Sequence, residues 1–168
     1  MPVHLNNEQS HPLDQETWQR RAEALHLAAG LSLTGDEWSL TWVDAASIHA
    51  LNREYRAVDR PTDVLAFALE EAEGPALPGG GRLLGDVVVA VDVAAAQAEA
   101  RGHTLADELA LLMVHGLLHL LGEDHDTPAR KARMWRRQGA LLEALGVPPL
   151  DYGDAEPARL RRTPRRRS

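Results

Sequence analysis

The stretch HGLLHLLGEDH, residues 115 to 125, sets three histidines among leucines. His115 and His119 are four residues apart, which on a helix puts both imidazoles on one face with Cβ atoms about 5–6 Å from each other. Two imidazoles so placed can grip one ion. His125 comes six residues after His119 and can join them only if the helix stops and the chain turns back. Gly122 supplies that stop, because glycine adopts the left-handed conformation that commonly ends a helix. The spacing therefore predicts a tripod of His115, His119 and His125. Three neutral imidazoles with a fourth position left for water or substrate suit Zn²⁺ in open catalytic sites, whereas structural zinc usually takes four protein ligands. The chain has no cysteine, so a closed thiolate site is excluded and only an acid or a distant histidine could complete the shell. One histidine on an apolar face is most often a core residue with its hydrogen bonds met; three at this spacing around a glycine point to one bound Zn²⁺ ion.

Such a site needs a rigid holder. Thr104 with Asp107 resembles a capping box, and the helix it opens is apolar nearly all round from Leu109 to Leu121, so it is expected to run through the centre of the fold. After the turn bearing His125, Thr127 as cap and Pro128 at the first helical position predict a second helix that ends at Gly146. Upstream, residues 13–31 read as an amphipathic helix with Trp18, Ala22, Leu25 and Ala29 on one stripe. In 37–44, Trp38, Leu40 and Trp42 alternate with polar residues, the pattern of a strand with one buried face. Asp44 can cap a helix reaching about Tyr55, with Ile48, Leu51 and Tyr55 inward. Residues 63–69 and 83–91 are the other clear strands, expected to pair antiparallel across a glycine- and proline-rich stretch that argues against regular structure. Asp92 is expected to cap an alanine-rich helix ending near Gly102. These elements predict an α/β (α+β) fold in a single domain, a small mixed sheet packed with helices around a central apolar helix.

Size and charge limit what the domain can do. At 168 residues, 44% hydrophobic and 4% aromatic, the chain suits one core of helices with a modest sheet. The N-terminus lacks a charged-then-apolar leader, and the longest apolar run is far short of the roughly 20 residues of a membrane span, so a soluble protein with no membrane partner is expected. Absence of cysteine fits a reducing interior and a cytoplasmic location. The net charge of −7 conceals an asymmetry, because six of the 18 basic residues are arginines within 159–168. Without them 12 basic residues face 25 acidic ones, a body charge of −13. Two local basic groups could still meet RNA: Arg53, Arg56 and Arg60, then Arg130, Lys131, Arg133, Arg136 and Arg137. Each can equally be a solvated helix face.

The histidine pattern has the skeleton of the metzincin proteases, H-E-x-x-H-x-x-G-x-x-H, with Gly116 in place of the glutamate. That carboxylate takes a proton from water in the proteases, so peptide hydrolysis loses its general base. Glu123 or Asp124 could take the proton instead, or Asp124 could orient a histidine. HGLLHLLGEDH resembles more closely the H-G-x-L-H-L-x-G-x-D-H signature of the YbeY family, bacterial zinc-dependent endoribonucleases of ribosomal RNA maturation. LNREYRAVDRPTDVLAFALE (51–70) and LLGDVVVAVDVA (83–94) are similar to two further segments of that family, so the resemblance runs over roughly residues 36 to 147. It implies that His115, His119 and His125 bind zinc and that Arg56 acts on the scissile phosphate. A guanidinium suits that task because its planar fork can bridge two phosphate oxygens, and zinc lowers the pKa of bound water to about 7, which makes Gly116 tolerable. This chain has Ala66 and Ala68 where the family often has serine and proline.

The resemblance implies a single-strand-specific, zinc-dependent endoribonuclease acting in maturation of the small-subunit rRNA 3′ end and in ribosome quality control. Its expected partners are single-stranded RNA, ribosomal RNA precursors and the ribosome small subunit, with no DNA. Two other readings stay open: a metallopeptidase, and a non-catalytic assembly factor whose zinc only fixes the fold. The expected organisation is one metallohydrolase domain over 1–152 and a basic tail over 153–168 that stays disordered when the protein is alone.

Overall fold

The structure, a computed structural model, describes residues 2–69, 76–77 and 81–148. Along these residues run β1 (Val3–Asn7), α1 (Gln15–Ala28), β2 (Asp36–Val43), α2 (Ala45–Arg56), β3 (Val64–Ala68), β4 (Ala76–Leu77), β5 (Gly81–Ala90), α3 (Val91–Arg101), α4 (Leu105–Leu120) and α5 (Pro128–Ala144). The strands form one mixed sheet in the order β1-β2-β5-β3, with β4 also pairing with β5. β1, β2 and β5 are parallel neighbours, and β3 runs antiparallel to β5 with Val64 opposite Val89 and Ala68 opposite Gly85.

Side-chain alternation divides the core between the two sheet faces. Trp38, Leu40 and Trp42 of β2, Val64 and Ala66 of β3, and Val87 and Val89 of β5 share one cluster with residues of α1, α4 and α5. Leu65, Phe67, Val88 and Ala90 turn to the other face and pack against Ile48 of α2, with Leu51 and Tyr55 alongside. Every residue of α4 from Glu108 to Leu120 is buried, as its all-round apolar sequence requires. Among the described residues no helix is long and apolar enough to cross a membrane.

Local signals place most helix ends. The side chains of Asp44, Thr104 and Thr127 accept hydrogen bonds from the backbone N–H groups of Ser47, Asp107 and Arg130 and so cap α2, α4 and α5, with Pro128 opening α5. Asp92 is not the cap of α3. That position is Ala90, because buried β5 passes directly into the helix, and Asp92 in the first turn accepts from Ala45 N at 3.0 Å instead. The stretch expected to be irregular holds a two-residue strand, β4, and β5 begins earlier than its apolar run, at Gly81. In β1 only Val3 and Leu5 alternate with polar residues, too short a run to mark a strand by itself. The strand exists because its backbone pairs with the edge of β2, from Val3 opposite Trp38 to Asn7 opposite Trp42. The arginine tail lies outside the described residues.

Candidate metal centre

α4 presents His115 and His119 one turn apart, both buried, with ring centroids 4.9 Å from each other. The helix then ends as its glycine predicts. Gly122 takes φ +88°, its N–H bonds to the His119 carbonyl at 3.0 Å, and Glu123 N bonds to the Leu118 carbonyl at 3.0 Å. These bonds reverse the chain, and Asp124 Oδ1 accepts from His125 N at 2.7 Å to hold the new direction. The His125 ring arrives 5.5 Å from that of His119 and 5.8 Å from that of His115. One nitrogen from each of the three histidines lies within 4.8 Å of the others, a cluster that a single ion can draw together.

Protonation and orientation of His115 suit such an ion. Burial first, then the neighbouring His119, push its pKa down to about 3, so the ring is neutral at physiological pH, the form that ligates metals. Gln138 of α5 presents Oε1 to His115 Nδ1 at 2.7 Å in a buried contact. An amide oxygen only accepts, so Nδ1 carries the ring proton and Nε2 keeps its lone pair. That Nε2 is buried with no hydrogen-bond partner. A buried orphan nitrogen, set by a partner on its other side, is what a metal ligand looks like before the metal is added. The donor set therefore fits the ion expected for it.

Gly116 has a structural cause. A Cβ built on it would stand 2.5 Å from Val87 Cγ1, because α4 lies directly on β5 there. The position that holds a glutamate in metzincins faces the sheet in this fold, and an acid there would have to push Val87 or the helix aside. The two loop acids are otherwise engaged. Glu123 pairs with Arg137 at 3.0 Å and Arg133 at 3.9 Å, fastening the loop to α5. Asp124 meets His125 through its backbone; the ring-orienting group seen here is Gln138, which lies 23 residues from His115 and gives no local sequence signal.

The three histidines come together on α4 and the turn after it, and Arg56 is carried by α2. It is the half-buried last residue of α2, where Ala57 takes φ 55° and ends the helix. Of the second basic group, Arg130 is bound to Asp126 at 2.9 Å, and Arg133 and Arg137 share Glu123. Much of that charge is thus neutralised locally, as a solvated helix face would have it.

A mixed-sheet domain whose central helix and following turn converge three histidines, with a buried partner fixing one tautomer, has the form of a metal-binding domain in which the three histidines could hold one ion. Within that class the family is shown: the model described as Endoribonuclease YbeY matches residues 4–146, and the chain belongs to the YbeY family. It is 50% identical over 155 residues to Endoribonuclease YbeY of Moorella thermoacetica, covering 88% of this chain and 99% of that one. To Endoribonuclease YbeY of Brevibacillus brevis it is 39% identical over 162 residues, covering 88% and 98%. The solution structure of TM1509 from Thermotoga maritima has the same fold, with a TM-score of 0.60 at 24% identity over 85% of this chain and 88% of that one.

Proposed function

We propose that this chain is a single-strand-specific endoribonuclease, dependent on one zinc ion held by His115, His119 and His125, that acts in ribosomal RNA maturation and ribosome quality control. Membership of the endoribonuclease family supports the reaction class. The observation that carries the metal dependence is the buried His115 Nε2 left without a partner while Gln138 holds Nδ1. Zinc held by these three histidines would supply Lewis-acid charge for phosphodiester cleavage. The chain's own residues do the rest. α4 and the Gly122 turn fix the ligands, Gln138 fixes a tautomer, and Arg56 takes the role of bridging two oxygens of the scissile phosphate as negative charge builds on it. Its substrates in this reading are small-subunit rRNA precursors, met on the ribosome in the cytoplasm, and DNA is not cut because the enzyme acts on RNA single strands.

A peptidase reading is disfavoured by the packing of Gly116 on Val87, where the protease's carboxylate would have to push Val87 or the helix aside. The test is direct: purified protein is incubated with end-labelled single-stranded RNA, duplex RNA, single-stranded DNA and an unstructured protein, with and without chelator. Cleavage of single-stranded RNA alone is expected, lost on chelation and restored by zinc. Chelator-resistant cleavage would overturn the metal dependence, and proteolysis without RNA cleavage would overturn the reaction class.

A further inference from the structure

α5 brings a second feature to the metal side. Lys131, Trp135 and Gln138 recur at one-turn intervals, so they share a helix face with the residue that bonds His115. Of the four tryptophans in the chain, Trp18, Trp38 and Trp42 are buried in the core, and Trp135 is left partly in water. Its ring meets those of His115 and His125 edge-on, at 5.8 Å and 84° and at 5.6 Å and 77°. Lys131 Nζ stands over the same ring, 5.6 Å from its centroid. Those edge contacts account for the place of the ring beside the histidines, and part of the indole still reaches water.

An aromatic face beside a cation is how proteins hold single-stranded nucleic acid without reading its sequence, since every base has a π-face and every nucleotide a phosphate. We propose that Trp135 is a base-stacking shelf, which takes the nucleobase of the RNA residue next to the phosphate being cleaved while Lys131 turns its ammonium to a neighbouring phosphate. A base in a duplex is already stacked on its neighbours and cannot reach the shelf, so Trp135 gives the site its preference for single strands. This rests on the ribonuclease reading above and names the part of the substrate that the site grips.

The test uses the metal-loaded full chain, a short labelled single-stranded RNA, and versions of that RNA with one abasic nucleotide at each position around the cut. Trp135→Leu is expected to raise Kd and KM by about 10-fold, with kcat and zinc content at wild-type levels, and Trp135→Phe to recover most of the loss. One abasic position should impose the same loss on the wild type and no further loss on Trp135→Leu. Because the other three tryptophans are buried, RNA should quench the wild-type emission and leave that of Trp135→Phe unchanged, a reading that does not need the leucine variant to fold. Losses that add at every abasic position, or a fall in zinc content in Trp135→Leu, would overturn the shelf while the ribonuclease reading stands. A wild type that neither binds nor cuts RNA would overturn both.

Discussion

His26 on α1 and His115 on α4 are both wholly buried. At His26 the protein meets both ring nitrogens: Trp38 Nε1 donates to Nδ1 at 3.1 Å, and Nε2 donates to the Ser32 carbonyl at 2.8 Å. At His115 it meets only Nδ1, through Gln138, and leaves Nε2 inside the fold without a partner. An unpaired buried polar atom costs about 1–3 kcal/mol, a cost that a bond to a ligand would offset. Burial alone therefore does not mark a candidate ligand; a buried ring nitrogen left unmet beside two further histidines does. His26 is the core residue that an isolated histidine on an apolar face suggests, and His115 is its counterpart at the candidate site.

Substitution should break this pair in opposite ways. His115→Ala, His119→Ala and His125→Ala are each expected to lower zinc content and abolish RNA cleavage, since a tripod without one leg loses affinity and geometry together. His26→Ala should keep full zinc content and lose about 2–4 kcal/mol of stability, because Trp38 Nε1 and the Ser32 carbonyl are left unmet in a cavity. Metal analysis and denaturant unfolding of the four variants would decide it. Full zinc occupancy in His125→Ala would sink the tripod, and zinc loss in His26→Ala would sink the contrast.

Arg56→Ala comes next in size. It should retain zinc and lose cleavage by about 100-fold or more, while Arg56→Lys recovers little because a point charge does not reproduce the guanidinium fork. Near-normal cleavage by Arg56→Lys would refute bidentate contact with the phosphate. Gln138→Leu should act through His115 alone. Freed of its partner, the ring can take the wrong tautomer, and zinc affinity is expected to fall about 10–100-fold with saturating zinc restoring most activity. Unchanged affinity by competition with a chelator would show that α4 packing orients His115 without help.

Gln138 also marks where sequence reading stops. The holder and the turn were legible, because each is local: the four-residue spacing of His115 and His119, the apolar run of α4, the stop at Gly122, and the caps at Asp44, Thr104 and Thr127 all lie within a turn or two of what they govern. Antiparallel pairing of β3 with β5 was legible from two apolar runs. Gln138, by contrast, reaches His115 across a helix–helix contact, and no local rule links them. β1 is illegible for the same reason, its hydrogen bonds being made with a strand about 35 residues away. Asp92 misleads because it has the right residue type two places after Ala90, the true cap. Gly116 was visible as a departure from the protease pattern, but its cause, contact with Val87, belongs to the packing.

The smallest expected effect on cleavage, none at all, belongs to a buried acid that extends the histidine comparison to opposite charge. Asp63 is wholly buried before β3, where Oδ1 accepts from Val64 N at 2.8 Å. Gln97, with its amide turned to suit both neighbours, donates to Asp63 Oδ2 at 3.1 Å and to Glu108 Oε1 at 3.0 Å. Glu108 has cationic company in Arg101 at 2.6 Å, whereas the bonds to Asp63 come from neutral groups. Burial, only partly offset by those bonds, raises the Asp63 pKa from 3.8 to about 6. The folded state then holds the proton more tightly than the unfolded chain, so the stability from this group is complete below pH 3.8 and is lost as pH rises through 6. Asp63→Asn removes that titration and keeps an oxygen for Val64 N. Between pH 4 and pH 7 the metal-free wild type should therefore lose up to about 3 kcal/mol relative to the variant, read from urea unfolding at each pH. A difference that stays flat across this window would show that Val64 and Gln97 suffice to hold Asp63 ionised, and that an acid in this core is satisfied as fully as His26.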